Sequence, residues 1–101
     1  MSAGRFVWDH GKSAANLSKH GVDFAIVERF EFDTALVIID DRKDYGEVRY
    51  RALGLIDGRL HALVFTPRGG QTRVISLRQA NDRERRNYVA KQKSQDKQQD
   101  E

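Results

Sequence analysis

Residues 47–66 read Glu47-Val48-Arg49-Tyr50-Arg51-Ala52-Leu53-Gly54-Leu55-Ile56-Asp57-Gly58-Arg59-Leu60-His61-Ala62-Leu63-Val64-Phe65-Thr66. Two arms rich in apolar residues flank Asp57-Gly58, a pair suited to a two-residue turn whose central positions both need positive φ. The stretch therefore predicts a β-hairpin, with strands from Glu47 to Ile56 and from Arg59 to Thr66. Side chains alternate along a strand, so Arg49 and Arg51 share a face with Leu53 and Leu55, opposite Val48, Tyr50 and Ala52. A face carrying both Arg and Leu suggests a half-open groove rather than a sealed core.

On the C-terminal side, Pro67-Arg68-Gly69-Gly70 reads as a second turn and Thr72–Leu77 as a further strand. Asn81 with Glu84 three residues later forms an Asn version of a capping box, opening a helix that should run to about Lys91. On the N-terminal side, Ala35-Leu36-Val37-Ile38-Ile39 reads as a buried strand, and Asp40–Asp44 as a charged turn. Asp23 caps a helix with Phe24, Ile26, Val27 and Phe30 on its apolar stripe. An earlier helix spans residues 10–20, with Asp9 as its cap, Ala14 and Leu17 as apolar contacts and Gly21 as its stop. Arg5-Phe6-Val7-Trp8 reads as a short edge strand, with Trp8 in the core.

Strands joined by tight turns, with helices at both ends, give an α+β domain. Its expected parts are two N-terminal helices, a mainly antiparallel sheet of three to five strands and one C-terminal helix. The 101 residues suffice for one domain, placed at residues 1–91. Residues 92–101 contain no apolar side chain to offset the entropy of ordering and are expected to form a disordered polar tail.

The chain has no cysteine, which excludes disulfide frameworks and thiolate chemistry, and His10, His20 and His61 make no metal-binding spacing. Neither a metal nor another cofactor is expected. No apolar run is long enough to span a bilayer, and Met1–Arg5 lacks the apolar segment of a signal peptide, so a cytoplasmic protein without a membrane partner is expected. The net charge is +3, but its distribution is uneven. Residues 67–90 carry six Arg (68, 73, 78, 83, 85 and 86) against Asp82 and Glu84, whereas residues 1–66 net −1 and residues 91–101 net zero. Such an Arg-rich segment points to a polyanion or an acidic protein partner.

Four stretches together resemble one family: Phe6-Val7-Trp8-Asp9; Asn16-Leu17-Ser18-Lys19-His20-Gly21-Val22-Asp23-Phe24; Glu47-Val48-Arg49-Tyr50 with Gly54; and Arg73-Val74-Ile75-Ser76-Leu77-Arg78-Gln79-Ala80 with Glu84 and Tyr88. Their order and spacing over residues 6–88 are similar to those of the BrnT toxins of type II toxin-antitoxin systems. The resemblance implies a RelE-like fold, ribonuclease activity that inhibits translation, and a BrnA-like antitoxin with a ribbon-helix-helix domain. It also implies that operator DNA is reached only through the toxin-antitoxin complex.

Metal-independent RNA cleavage needs a base for the 2′-hydroxyl, positive charge for the phosphorane and an acid for the leaving 5′-oxygen. Arg suits the second role through its paired donors, and His suits the others. The candidate catalytic residues are therefore His20, Arg49, Arg73 and Arg78, with Lys19, Arg68, Arg83 and Tyr88 as RNA contacts. Bland readings compete. Lys19 and His20 suit the C-terminal end of a helix, Arg49 can pair with Glu47, Glu84 is explained as a cap, and Tyr88 can bury its ring. Strict alternation also sets Arg73 and Arg78 on opposite faces unless a bulge intervenes. The alternative function is a non-catalytic basic module that binds RNA or protein.

Overall fold

The computed structural model describes residues 5–99. Its elements are β1 (Phe6–Val7), α1 (His10–His20), two 3₁₀ segments (Phe24–Arg29 and Phe32–Thr34), β2 (Leu36–Ile39), β3 (Tyr50–Ile56), β4 (Arg59–Arg68), β5 (Gln71–Gln79) and α2 (Asp82–Gln99). The five strands form one sheet in the order β1-β5-β4-β3-β2. All neighbours are antiparallel except β1 and β5, which run parallel with Phe6 beside Thr72 and Val7 beside Arg73. The α+β plan and the mainly antiparallel sheet agree with the sequence, and the parallel edge is a departure from it. The hairpin forms at Asp57-Gly58, where both residues take the positive φ that the turn requires (52° and 80°).

The expected second N-terminal helix is not an α-helix. Phe24, Val27 and Phe30 recur at a spacing of three and are almost fully buried. That is the repeat of a 3₁₀ helix, whose side chains eclipse every third residue, and the segment from Phe24 to Arg29 adopts it. Asp23 starts it by accepting the Ala25 N–H at 2.9 Å. These three side chains enter the core with Ala52, Ile56, Leu63, Val74 and Leu77 from one face of the sheet, and Trp8 meets Phe24 edge-on. Gly54 is required here, because a Cβ would stand 2.5 Å from Phe30 Cζ.

The first helix docks by an unexpected residue. Leu17 is 47% exposed, whereas Asn16 is buried. Because β1 is only two residues long, β5 beyond Arg73 has no strand on that side among the described residues, and the Asn16 amide takes its place. It donates to Leu77 O (2.6 Å) and Val22 O (2.9 Å) and accepts from Leu77 N–H (3.3 Å).

Two further expectations are corrected. Residues 36–39 form an edge strand rather than a buried one, with Val37, Ile38 and Ile39 about half exposed. The last helix does not stop near Lys91 but continues to Gln99, so the segment read as a disordered tail is helical up to that point. Its Gln and Lys residues are good helix formers, and the capping box starts it as expected: Asn81 N–H donates to Glu84 and Glu84 N–H to Asn81. Among the described residues no helix is long and apolar enough to cross a membrane.

Candidate functional site

The face of the sheet turned away from the core carries a polar cleft of about 280 Å³. Ala62 and Val64 from β4 and Ile75 and Ser76 from β5 line it together with Arg51, Arg78 and Glu84, and the loop between β2 and β3 adds Asp40, Arg42, Tyr45 and Arg49. Ile75 and Ser76 are consecutive residues on one face because β5 carries a bulge. Val64 pairs with Ser76 and Phe65 with Val74, which leaves Ile75 as the extra residue. Val74 and Leu77 both stay in the core. The bulge also resolves the alternation conflict, since Arg73 and Arg78 now fall on the same face.

Asp40 is the anchor of the loop. Its buried carboxylate accepts from Arg42 Nε (2.7 Å) and Nη2 (2.8 Å) and from the Tyr45 hydroxyl (3.1 Å), with Arg51 Nε at 3.9 Å. The Arg42 guanidinium holds the Asp40 carboxyl far below the usual carboxylate range, so it stays ionised at neutral pH. Tyr45 in turn faces Arg49, whose guanidinium carbon lies 4.1 Å from the ring centroid. Arg49 Nε donates to Glu47 at 3.0 Å. Across the cleft, Arg78 grips Glu84 with two parallel bonds of 2.8 Å. That pairing lowers the Glu84 pKa and raises that of Arg78. Among the described residues Arg51 Nε is buried with no hydrogen-bond partner, although its side chain is 38% exposed.

Four guanidinium groups therefore converge: Arg42, Arg49, Arg51 and Arg78. Of the sequence candidates, only Arg49 and Arg78 line this cleft. Arg73 shares the face but stands beside β1, where its charge reaches Asp9, a carboxylate held down first by the Lys12 N–H. Lys19 and His20 are exposed at the end of α1, which docks at the edge of β5, and neither lines the cleft. Arg68 and Arg83 are exposed at the end of β4 and on α2. The Tyr88 hydroxyl donates to Thr34 O at 3.1 Å, beside Gln92 on the same carbonyl at 3.0 Å, and so moors α2 across the sheet. Glu84 is a cap, as expected, and also the partner of Arg78. The sequence reading passed over Asp40, Arg42 and Tyr45 because a run of charged residues reads as a solvated turn. The signal available was an aspartate directly after an apolar strand with Arg two residues on and Tyr five residues on.

Fold and cleft together define a small α+β domain with an arginine-lined polar cleft on one face of its sheet. The profile of the family described as ribonuclease toxin, BrnT, of type II toxin-antitoxin system matches residues 8–84. The chain belongs to this family of ribonuclease toxins. No curated protein matches it in sequence.

Proposed function

We propose that the cleft binds RNA across the bond to be cut and cleaves it without a metal ion, inhibiting translation in the cytoplasm. The convergence of four guanidinium groups on one polar cleft carries this reading. When the 2′-oxygen attacks phosphorus, negative charge builds on the non-bridging oxygens, and preorganised cations stabilise that charge more than they stabilise the bound substrate. Glu47 and Glu84 occupy Arg49 and Arg78 with the same donor geometry that phosphate oxygens use. Bound RNA replaces them. Arg51 Nε makes no hydrogen bond that RNA must displace, only a longer ion pair of 3.9 Å with Asp40. Asp40 and Glu84 are poor proton carriers at neutral pH, since their arginine partners keep both ionised. Tyr45, whose hydroxyl donates to Asp40, gives its proton to the leaving 5′-oxygen, and the 2′-hydroxyl proton passes to solvent water.

The same reading assigns a BrnA-like ribbon-helix-helix antitoxin as the neutralising partner, with operator DNA bound only through the complex. Membership of a toxin family of type II systems supports an antitoxin partner. The test is purified chain with total RNA, with and without EDTA, resolved on a denaturing gel. Cleavage that EDTA leaves unaffected is the expected result. Retardation on a native gel without cleavage would instead mark a non-catalytic binding module.

A further inference from the structure

We infer that a hollow beside the arginine cleft is a nucleobase subsite, in which Asn87 reads the polar edge of the base. The inference deepens the proposed RNA cleavage and rests on that reading of the cleft. The hollow measures about 330 Å³ and is walled by the sheet and by α2. Leu36 pairs with Leu53 and Ile38 with Arg51, which sets all four side chains on the cleft side of the sheet. The other wall is made by Glu84, Asn87 and Lys91, which follow one another at spacings of three and four and so share one face of α2. Tyr88 and Gln92 fix α2 in place through their bonds to Thr34 O.

The two walls do not match. A helix laid on an apolar sheet face ordinarily buries an apolar stripe against it. Here α2 sets an amide and an ammonium opposite three aliphatic side chains, and Ile38 stays 54% exposed. Among the described residues the Asn87 amide has no hydrogen-bond partner. The hollow therefore fits a flat group with apolar faces and a polar edge, which is the chemistry of a nucleobase. Leu36, Ile38 and Leu53 meet its face, and the Asn87 amide offers both donors and an acceptor to its edge. An aliphatic side chain from a protein partner would suit the sheet wall but would cover the Asn87 amide without pairing it.

Position ties the hollow to the cleft. Arg51 and Glu84 line both of them. Arg51 and Leu53 are two residues apart on one strand face, about 6.6 Å, so a phosphate held by Arg51 and a base lying on Leu53 are joined through a single ribose. Glu84, displaced from Arg78 by phosphate, is left with oxygens that accept from N–H groups of the base. Lys91 stands two helical turns beyond Glu84, about 10 Å along α2, and meets the next phosphate of the strand.

The test titrates the full chain with ribose 5-phosphate and with each of the four nucleoside 5′-monophosphates, followed by nuclear magnetic resonance. Ribose 5-phosphate reports on the cleft, and the difference between it and the nucleotides reports on the hollow. At least one nucleotide should bind about tenfold more tightly than ribose 5-phosphate and shift the Asn87 side-chain amide and the Leu53 methyl resonances. Asn87→Ala should erase the preference among the bases, and Ile38→Thr should weaken binding of every nucleotide. Both positions are exposed, so neither change should alter the circular dichroism spectrum or the affinity for ribose 5-phosphate. Nucleotides that bind no more tightly than ribose 5-phosphate, or a base preference that Asn87→Ala leaves intact, overturn the inference and leave the cleft reading standing. Hollow resonances that shift only when an antitoxin is added likewise overturn it and assign the hollow to that protein. A chain that binds neither ribose 5-phosphate nor any nucleotide overturns both readings.

Discussion

Replacing Asn16 by leucine keeps the size of the side chain but removes every hydrogen bond that ties α1 to β5. The change leaves the C=O of Val22 and both the N–H and C=O of Leu77 without their side-chain partner, at a place where Leu77 is fully buried. A buried polar group deprived of its partner costs about 1–3 kcal/mol, and the leucine regains part of this through apolar burial, so the net loss is about 3–4 kcal/mol. A domain of this length shifts its Tm by about 4–8 °C per kcal/mol, so Asn16→Leu should melt about 15–25 °C below the wild type. Thermal and urea unfolding followed by circular dichroism measure both quantities. A Tm within about 5 °C of the wild type would refute the view that Asn16 substitutes for a missing strand. Where the variant is folded it should still cut RNA, since Asn16 does not line the cleft.

Glu84→Gln should lower stability at neutral pH by about 1 kcal/mol, because the ion pair with Arg78 is only partly buried. The folded carboxyl is held below its ordinary value by Arg78. Its contribution is therefore present above the unfolded pKa of about 4.3 and lost as pH falls through the folded value, so wild-type and variant stabilities should converge on acidification. A gap that persists at low pH would remove the ion pair as its cause. Glu47→Gln should release Arg49 and tighten RNA binding in a filter assay, with the fold unchanged; weaker binding would mean that Glu47 positions Arg49 rather than masking it. His20→Gln should leave cleavage and its pH profile as in the wild type, because His20 is exposed at the end of α1 and away from the cleft. A large loss of rate with retained binding would return His20 to the chemistry.

Much of the fold could be read from local signals. Asp57-Gly58 fixed the hairpin, Asp9 and Gly21 bounded α1, and the Asn81–Glu84 box opened α2. What escaped depends on contacts distant in sequence. The parallel β1–β5 pair and the Asn16 bridge span more than sixty residues, and no local pattern announces them. The 3₁₀ helix was legible in the spacing of Phe24, Val27 and Phe30, but spacings of two to four admit an α-helix as well. The apolar run of β2 was read as burial because hydrophobicity alone cannot distinguish a central strand from an uncovered edge. In the cleft, Arg49 and Arg78 were found from the chemistry of Arg and the family resemblance, while Arg42 and Tyr45 gained their places only when the loop folded around Asp40. The bulge at Ile75, which turns two neighbouring residues of β5 to one face, also had no sequence signature.

The central claim is that guanidinium groups converging on the cleft stabilise charge that develops as RNA is cut. Arg51 tests it most directly, because its buried Nε has no hydrogen-bond partner among the described residues. Arg51→Lys preserves the charge and removes that donor and its planar geometry. Single-turnover cleavage at saturating protein, with RNA affinity measured in parallel, separates rate from binding. The account predicts a rate lowered by about 10²–10³-fold with affinity nearly unchanged, the cost of losing one preorganised donor to the transition state. A rate equal to that of the wild type, or a loss confined to affinity, would contradict it.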